Sequence, residues 1–168
     1  MGNSRLDLLR RQNSGSVRRE SLSRELRAIG VPDNLTVFLP LEESDHVRHQ
    51  ADESFVGRDT VQSGVVERQF SSADMDRLTD IVPPGSDDVF VIPSEAEVVG
   101  VLKWPTNVLN ALWTRFVELK PDGFVVVDAS FLSKVVVQVI NDSGTGEDEL
   151  DIAAWGERWC GHLSQLAR

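Results

Sequence analysis

One stretch, residues 104–140, constrains the fold most, because it carries the signals of a helix followed directly by two strands. Its apolar side chains recur at the spacing of one helix face, with polar side chains between them. The apolar set is Val108, Leu109, Leu112, Trp113, Phe116, Val117 and Leu119. The Pro-Asp-Gly sequence at 121–123 ends the helix, since proline cannot continue it and glycine suits a turn. Residues 124–127 and 134–140 are rich in valine and are typical of strands.

Two further segments, residues 88–92 and 98–104, precede the helix and predict two more strands. Helices and strands do not alternate along the chain as they do in a doubly wound sheet. We therefore predict an α+β fold with a mainly antiparallel sheet of four to six strands. The sheet is expected to pack against a central helix over residues 104–120.

A second helix is predicted at the C-terminal end, over residues 148–167. Its apolar residues at helical spacing are Ile152, Trp155, Trp159, Leu163 and Leu166. Acidic residues at its start would face the positive end of the helix dipole. Gly156 and Gly161 would each cost this helix about 1 kcal/mol relative to alanine, so the helix should depend on packing.

The first part of the chain has a different character. Residues 1–16 are polar and rich in Arg, Ser and Gly, and we predict a disordered basic arm there. Residues 17–168 are expected to form a single α+β domain that begins with a helix over 17–29. Within this domain residues 41–70 have little apolar pattern and are expected to be the least organised part.

Charge is distributed unevenly along the chain, whose formal net charge is −10. Residues 1–30 contain seven Arg and three acids, whereas residues 31–168 contain ten Lys and Arg and 24 acids. An acidic body is unsuited to nucleic acid and suits a cationic partner, while the arm has the charge to contact nucleic acid or an anionic membrane. Cys160 is the only cysteine and no long apolar run occurs, so we expect a soluble cytoplasmic protein.

Catalytic motifs are scarce. The chain lacks a phosphate loop, a dinucleotide-binding glycine pattern, a nucleophile elbow and a His-Glu-x-x-His sequence. His46, His49 and Glu53 have the spacing of metal ligands on a helix, but the weak apolar stripe around them favours a solvated loop. We predict no catalytic residues, no metal site and no cofactor.

The sequence Asp-Ser-Gly-Thr at 142–145 resembles the active-site turn of aspartic proteases, which also follows a hydrophobic strand. The resemblance implies a catalytic carboxylate at Asp142, which would need a second carboxylate from another copy of the chain. It ends after these four residues, because residues 146–149 are polar where that family has an apolar residue. We favour a loop that leaves a hairpin, and keep an enzyme as an alternative function.

The acids before the last predicted helix indicate a binding site. The proposed binding residues are Glu147, Asp148, Glu149 and Asp151, with Trp155 and Trp159 as apolar anchors. We predict a non-catalytic protein–protein interaction module for a basic partner, such as an inhibitor or immunity-type protein, with electrostatic steering of the encounter. The alternative is a structural or accessory protein of an assembly, such as a viral one, whose basic arm contacts nucleic acid or membrane. The sequence leaves the oligomeric state and the partner's identity open.

Overall fold

The computed structural model describes residues 3–55, 65–71, 74–75, 78–85, 87–141 and 148–166. Within these residues the chain forms one antiparallel sheet of six strands. The strands are β1 Val66–Ser71, β2 Asp88–Pro93, β3 Leu102–Pro105, β4 Phe124–Asp128, β5 Lys134–Asn141 and β6 Asp148–Trp155. They lie in the order β1-β6-β5-β4-β2-β3. The predicted α+β fold with a mainly antiparallel sheet is confirmed.

Five helices accompany the sheet in the described residues. They are α1 Asn3–Ala28, α2 Leu41–Phe55, α3 Ala96–Val99, α4 Thr106–Leu119 and α5 Glu157–Leu166. The predicted central helix is α4, and it starts later than residue 104 because Trp104 and Pro105 pair with β2 as part of β3. The predicted strand at 98–104 is likewise shorter, since its first residues belong to the end of α3.

The hairpin of β4 and β5 follows α4 as the sequence predicts. Gly123, in the turn between α4 and β4, has φ 93°, and a Cβ atom built there would lie 2.5 Å from the carbonyl oxygen of Val137. Only glycine fits this close approach at positive φ. The turn therefore directs the chain from the end of α4 back along the sheet that α4 covers.

The sheet has two faces with different cover. We call the core face the set of strand residues that pack under α1, α4 and α5: Val89, Val91, Trp104, Phe124, Val126, Val135, Val137, Leu150, Ile152 and Ala154. Leu26 of α1, Trp113 of α4 and Leu163 of α5 are buried against them. The alternate strand residues form the second face, toward which α2 and the short α3 pack. Most of the buried apolar surface therefore lies on the core face.

The predicted C-terminal helix, residues 148–167, is wrong over its first half. Asp148–Trp155 forms strand β6, and α5 follows after Gly156, which has φ 89°. Ile152 and Trp155, which helical spacing places together, lie on opposite faces of the sheet. Pairing with β1 and β5 decides the outcome, because hydrogen bonds on both sides hold residues 148–155 extended and successive side chains then point to opposite faces of the sheet.

The structure also differs from the expected disordered arm at residues 1–16, because α1 already begins at Asn3. Arg11 donates two hydrogen bonds to the carboxylate of Asp45, at 2.6 and 2.9 Å, and ties this part of α1 to α2. Gly15 lies so close to α3 that an added Cβ atom would be 2.2 Å from the carbonyl oxygen of Val98. Polar composition predicted disorder, whereas contacts distant in sequence stabilise a helix.

The segment expected to be least organised, residues 41–70, contains helix α2. Its buried residues are Leu41, Ser44, Val47, Ala51 and Phe55, which recur at helical spacing. This stripe is short and includes small residues, so its apolar signal in the sequence is weak. Residues 56–64 of this segment lie outside the described residues.

Gly156 and Gly161 should respond in opposite ways to replacement by alanine. At Gly156 the positive φ and a built Cβ atom only 2.6 Å from the carbonyl oxygen of Leu132 make alanine strained. We expect Gly156→Ala to lower the free energy of unfolding by about 2 kcal/mol or more. Gly161 lies inside α5 with open space around it, so Gly161→Ala should raise that free energy by up to about 1 kcal/mol. Urea unfolding followed by circular dichroism measures both, and equal effects would contradict the strand–helix corner at Gly156.

The Arg11–Asp45 contact should make part of the stability depend on pH. Hydrogen bonds from Arg11 hold the pKa of Asp45 below its ordinary value, and the positive charge of Arg11 adds to this, although partial burial opposes the shift. A lowered carboxyl pKa stabilises the fold above the unfolded value of about 3.9, and the contribution is lost as the pH falls through the folded value. Arg11→Gln should therefore lower the free energy of unfolding by up to about 1 kcal/mol at neutral pH, and by less as the pH falls below about 4.

The matched control for that measurement is Arg10→Gln, since Arg10 forms a longer, more exposed ion pair of 3.7 Å with Asp7. At neutral pH, Arg10→Gln should lower the free energy of unfolding by less than Arg11→Gln does. A cost of Arg11→Gln that is the same at every pH in urea unfolding would exclude the proposed linkage.

Candidate functional site

The second face of the sheet is covered in the region where α2 crosses it. The buried cluster there contains Ala51, Phe55, Val127, Ala153 and Trp155. Phe131, from the turn between β4 and β5, packs on this cluster and stacks on Phe90 with ring centroids 5.7 Å apart. This packing fixes α2 against β4 and β6.

Beyond α2, the second face carries polar and acidic side chains. We call the acidic patch the set Glu67 and Gln69 of β1, Gln138 and Ile140 of β5, and Glu149 and Asp151 of β6. The register places Asp151 between Gln69 and Gln138, and Glu149 between Ser71 and Ile140. Gln138 Nε2 donates a hydrogen bond to Asp151 Oδ2 at 3.1 Å. Since β6 is hydrogen-bonded to a strand on either side, the carboxylates sit on a rigid backbone.

The structure places two of the four predicted acids on this patch. Glu149 and Asp151 are half-buried neighbours on the second face. Asp148 starts β6, but its side chain is not among those described, and Glu147 lies outside the described residues. The protease-like turn at 142–145 lies outside them as well. Glu67, from a distant part of the sequence, joins the patch through the pairing of β1 with β6.

The two predicted tryptophan anchors lie apart and are both buried. Trp155 is on the second face with 9% of its surface exposed, and Trp159 packs on the core face with 4% exposed. Neither therefore offers an exposed ring to a partner. The indole N–H of Trp155 has no hydrogen-bond acceptor in the described structure, which costs about 1–3 kcal/mol.

Lys134 is a residue of this region that the sequence analysis did not single out. Its Nζ atom lies 4.2 Å from the ring centroid of Trp155 and 4.7 Å from that of Phe55. Such contacts stabilise a cation through the negative face of the ring. The signal in the sequence was the polar side of β5, where Lys134 and Gln138 alternate with buried valines. Its partners could not be read from the sequence, since they come from α2 and β6.

A groove separates α2 from the acidic patch, and we call it the α2 groove. It has a volume of about 290 Å³. Arg48 and Asp52 line its α2 side, and Val125 and Val136 form part of its floor on the sheet. Lys134 and Gln138 also line it, so the groove runs directly into the patch.

A second cavity, of about 420 Å³, lies at the other end of β2 and contains charges of both signs. Lys103 Nζ is 3.1 Å from Asp88 Oδ2, and Arg158 Nη1 is 3.9 Å from Asp87 Oδ2. Asp128 Oδ1 accepts hydrogen bonds from the backbone N–H groups of Leu132 and Ser133, each at 2.8 Å. The two ion pairs nearly balance the charges that line the cavity. Asp128 stabilises the turn that follows β4. The charged side chains that line this cavity therefore stabilise the fold.

Potential nucleophiles and metal ligands are engaged in local structure. Burial raises the pKa of the Cys160 thiol, whose Sγ donates to the carbonyl oxygen of Ala154 at 3.1 Å. A protonated thiol is a weak nucleophile at neutral pH. His49 Nε2 pairs with Glu53 Oε1 at 3.2 Å on the surface of α2. Across the described ranges, no three His, Cys, Asp or Glu side chains converge as metal ligands do.

Searches found no matching protein family, no matching curated protein and no matching solved structure for this chain. In the described part of the chain, none of the helices combines the length and apolar character that spanning a membrane requires.

Lys134 should contribute more to stability than a typical surface lysine. We expect Lys134→Gln to lower the free energy of unfolding by about 1 kcal/mol, because the contacts with the rings of Phe55 and Trp155 are lost. The matched control is Lys103→Gln, which removes the more exposed ion pair with Asp88 and should cost less than about 0.5 kcal/mol. Urea unfolding followed by tryptophan fluorescence measures both changes. Equal costs would contradict a specific role for the two rings.

Proposed function

We propose that this chain is a non-catalytic binding protein that holds a basic partner protein on its acidic patch, as inhibitors and immunity-type proteins do. The observation that carries this proposal is the convergence of Glu67, Glu149 and Asp151 on one sheet face through strand pairing. Fixed carboxylates steer a cationic partner and cost little ordering on binding. The excess of acids in residues 31–168 extends the same field over the whole body.

Two of the arginines of α1 pair with acids that lie outside the patch. Arg11 binds Asp45 of α2, and Arg27 Nε lies 2.8 Å from Asp33 Oδ1. These pairs use arginines that a nucleic acid or membrane would need, which is why we favour a protein partner over the alternative of an assembly protein with a basic arm. We place the protein in a reducing compartment such as the cytoplasm, because its single cysteine is a buried, hydrogen-bonded thiol.

The proposal is tested on the partner captured by the full chain from its native source and identified by mass spectrometry. The triple variant Glu67→Gln, Glu149→Gln, Asp151→Asn should bind this partner about tenfold more weakly and with a flatter salt dependence, since three charges of the site are removed. The matched control is Asp33→Asn, Glu42→Gln, Glu43→Gln, which changes the net charge equally at exposed positions elsewhere.

Affinity is measured by isothermal titration at two salt concentrations. The control should lose less than about threefold, through the long-range field alone. Equal losses in the two triple variants would place the binding site elsewhere on the molecule. An enzymatic activity that disappears in Asp142→Asn would contradict the non-catalytic role.

A further inference from the structure

The two faces of the sheet are covered unequally by the described helices. Within the described residues, α1, α4 and α5 bury side chains on the core face. The second face has α2 and the four-residue α3, which Arg11 and Gly15 of α1 also contact. Helix α2 packs on Val127, Ala153 and Trp155 at one end of this face. At the other end, Gln69, Gln138 and Ile140 are exposed within the described residues.

Among the described residues, apolar side chains line the sheet beside α2. Val125 and Val136 are half-buried on the floor of the α2 groove, and Ile140 is 37% exposed in the acidic patch beside it. They belong to β4 and β5, which are hydrogen-bonded to strands on both sides. A partner strand therefore has no free backbone to pair with here. A partner must instead pack side chains onto side chains, as helices do on sheets.

The charges around this floor are mainly negative. Asp52 and Asp122 line the α2 groove, and Asp151 and Glu149 lie on its patch side. Two cations line the groove, and both have partners. Arg48 Nη1 lies 3.4 Å from Asp45 Oδ1, and Lys134 lies over the rings of Phe55 and Trp155. An apolar floor with an acidic rim complements a helix that carries a narrow apolar stripe between Lys and Arg residues.

We propose that the α2 groove and the acidic patch together bind a basic amphipathic helix of the partner protein. Apolar residues of that helix at i, i+3, i+4 and i+7 pack on Val125, Val136 and Ile140, and its cations face Asp52, Asp122 and Asp151. This inference rests on the proposed function and adds the form of the ligand. A second copy of the chain is a poorer occupant, because it would bring two acidic patches together and like charges oppose such contact.

The test uses two synthetic peptides of about 18 residues, or five helical turns, made from the same Leu, Lys and Ala residues. One peptide places leucine along a single helix face, and the other scrambles the order. Binding to the full chain is measured by fluorescence anisotropy at about 50 mM and about 200 mM salt. The patterned peptide should bind about tenfold more tightly than the scrambled one, because only its helix presents a continuous apolar stripe.

Two chain variants locate the peptide. Ile140→Asn should weaken binding of the patterned peptide by about tenfold, since it removes one of the three apolar contacts proposed for the helix. The matched control Leu132→Asn changes a residue that is 63% exposed outside the groove, and it should change the affinity by less than about twofold. Equal binding of both peptides, no binding of either, or an unchanged affinity of Ile140→Asn overturns the helix proposal.

These outcomes are distinct from failure of the proposed function. If both peptides bind equally and both are lost in the triple variant of Glu67, Glu149 and Asp151, the patch binds cations without selecting a helix. The proposed function then stands and the helix proposal falls. If light scattering shows a dimer that Ile140→Asn dissociates, a second copy occupies the groove and the helix proposal is likewise overturned.

Discussion

The hydrogen bonding of β6 to β1 and β5 is the interaction on which the rest of this structure depends. It holds Leu150 and Ile152 in the core, and the same backbone geometry turns Glu149 and Asp151 to the second face. One strand thus contributes both buried side chains to the core and charged side chains to the second face. A strand at this position has no free edge, so its side chains are presented from a backbone that is hydrogen-bonded on both sides.

The local part of the fold could be predicted from the sequence, and the distant pairings could not. Helix α4 and the hairpin of β4 and β5 are contiguous, and their apolar patterns are long and regular. The sequence of strand β6 wrongly predicts a helix, because Ile152, Trp155 and Trp159 happen to fit helical spacing. Its pairing with β1 joins residues about 80 positions apart, and no local pattern reports such a contact. The ordering of α1 before residue 16 likewise depends on α2 and α3.

The candidate site was predictable in its chemistry and less so in its shape. The density of acids near residue 150 indicates a binding site that includes Glu149 and Asp151, and the strand keeps them on one face because they are two residues apart. Trp159 cannot join them, since the chain turns at Gly156 and α5 packs on the core face. Glu67 and the α2 groove needed the three-dimensional arrangement, because they come from elements far away in the sequence.

Cysteine labelling along β6 tests this account most directly. Glu149, Leu150, Asp151 and Ile152 are each replaced by cysteine in a chain that carries Cys160→Ala, and the rates of alkylation are measured under native conditions. We expect rates that alternate with a period of two, fast at 149 and 151 and slow at 150 and 152, because only the former side chains lie on the second face. Rates that are uniform, or that follow a helical period, would contradict a two-sided strand that buries the core and presents the acids.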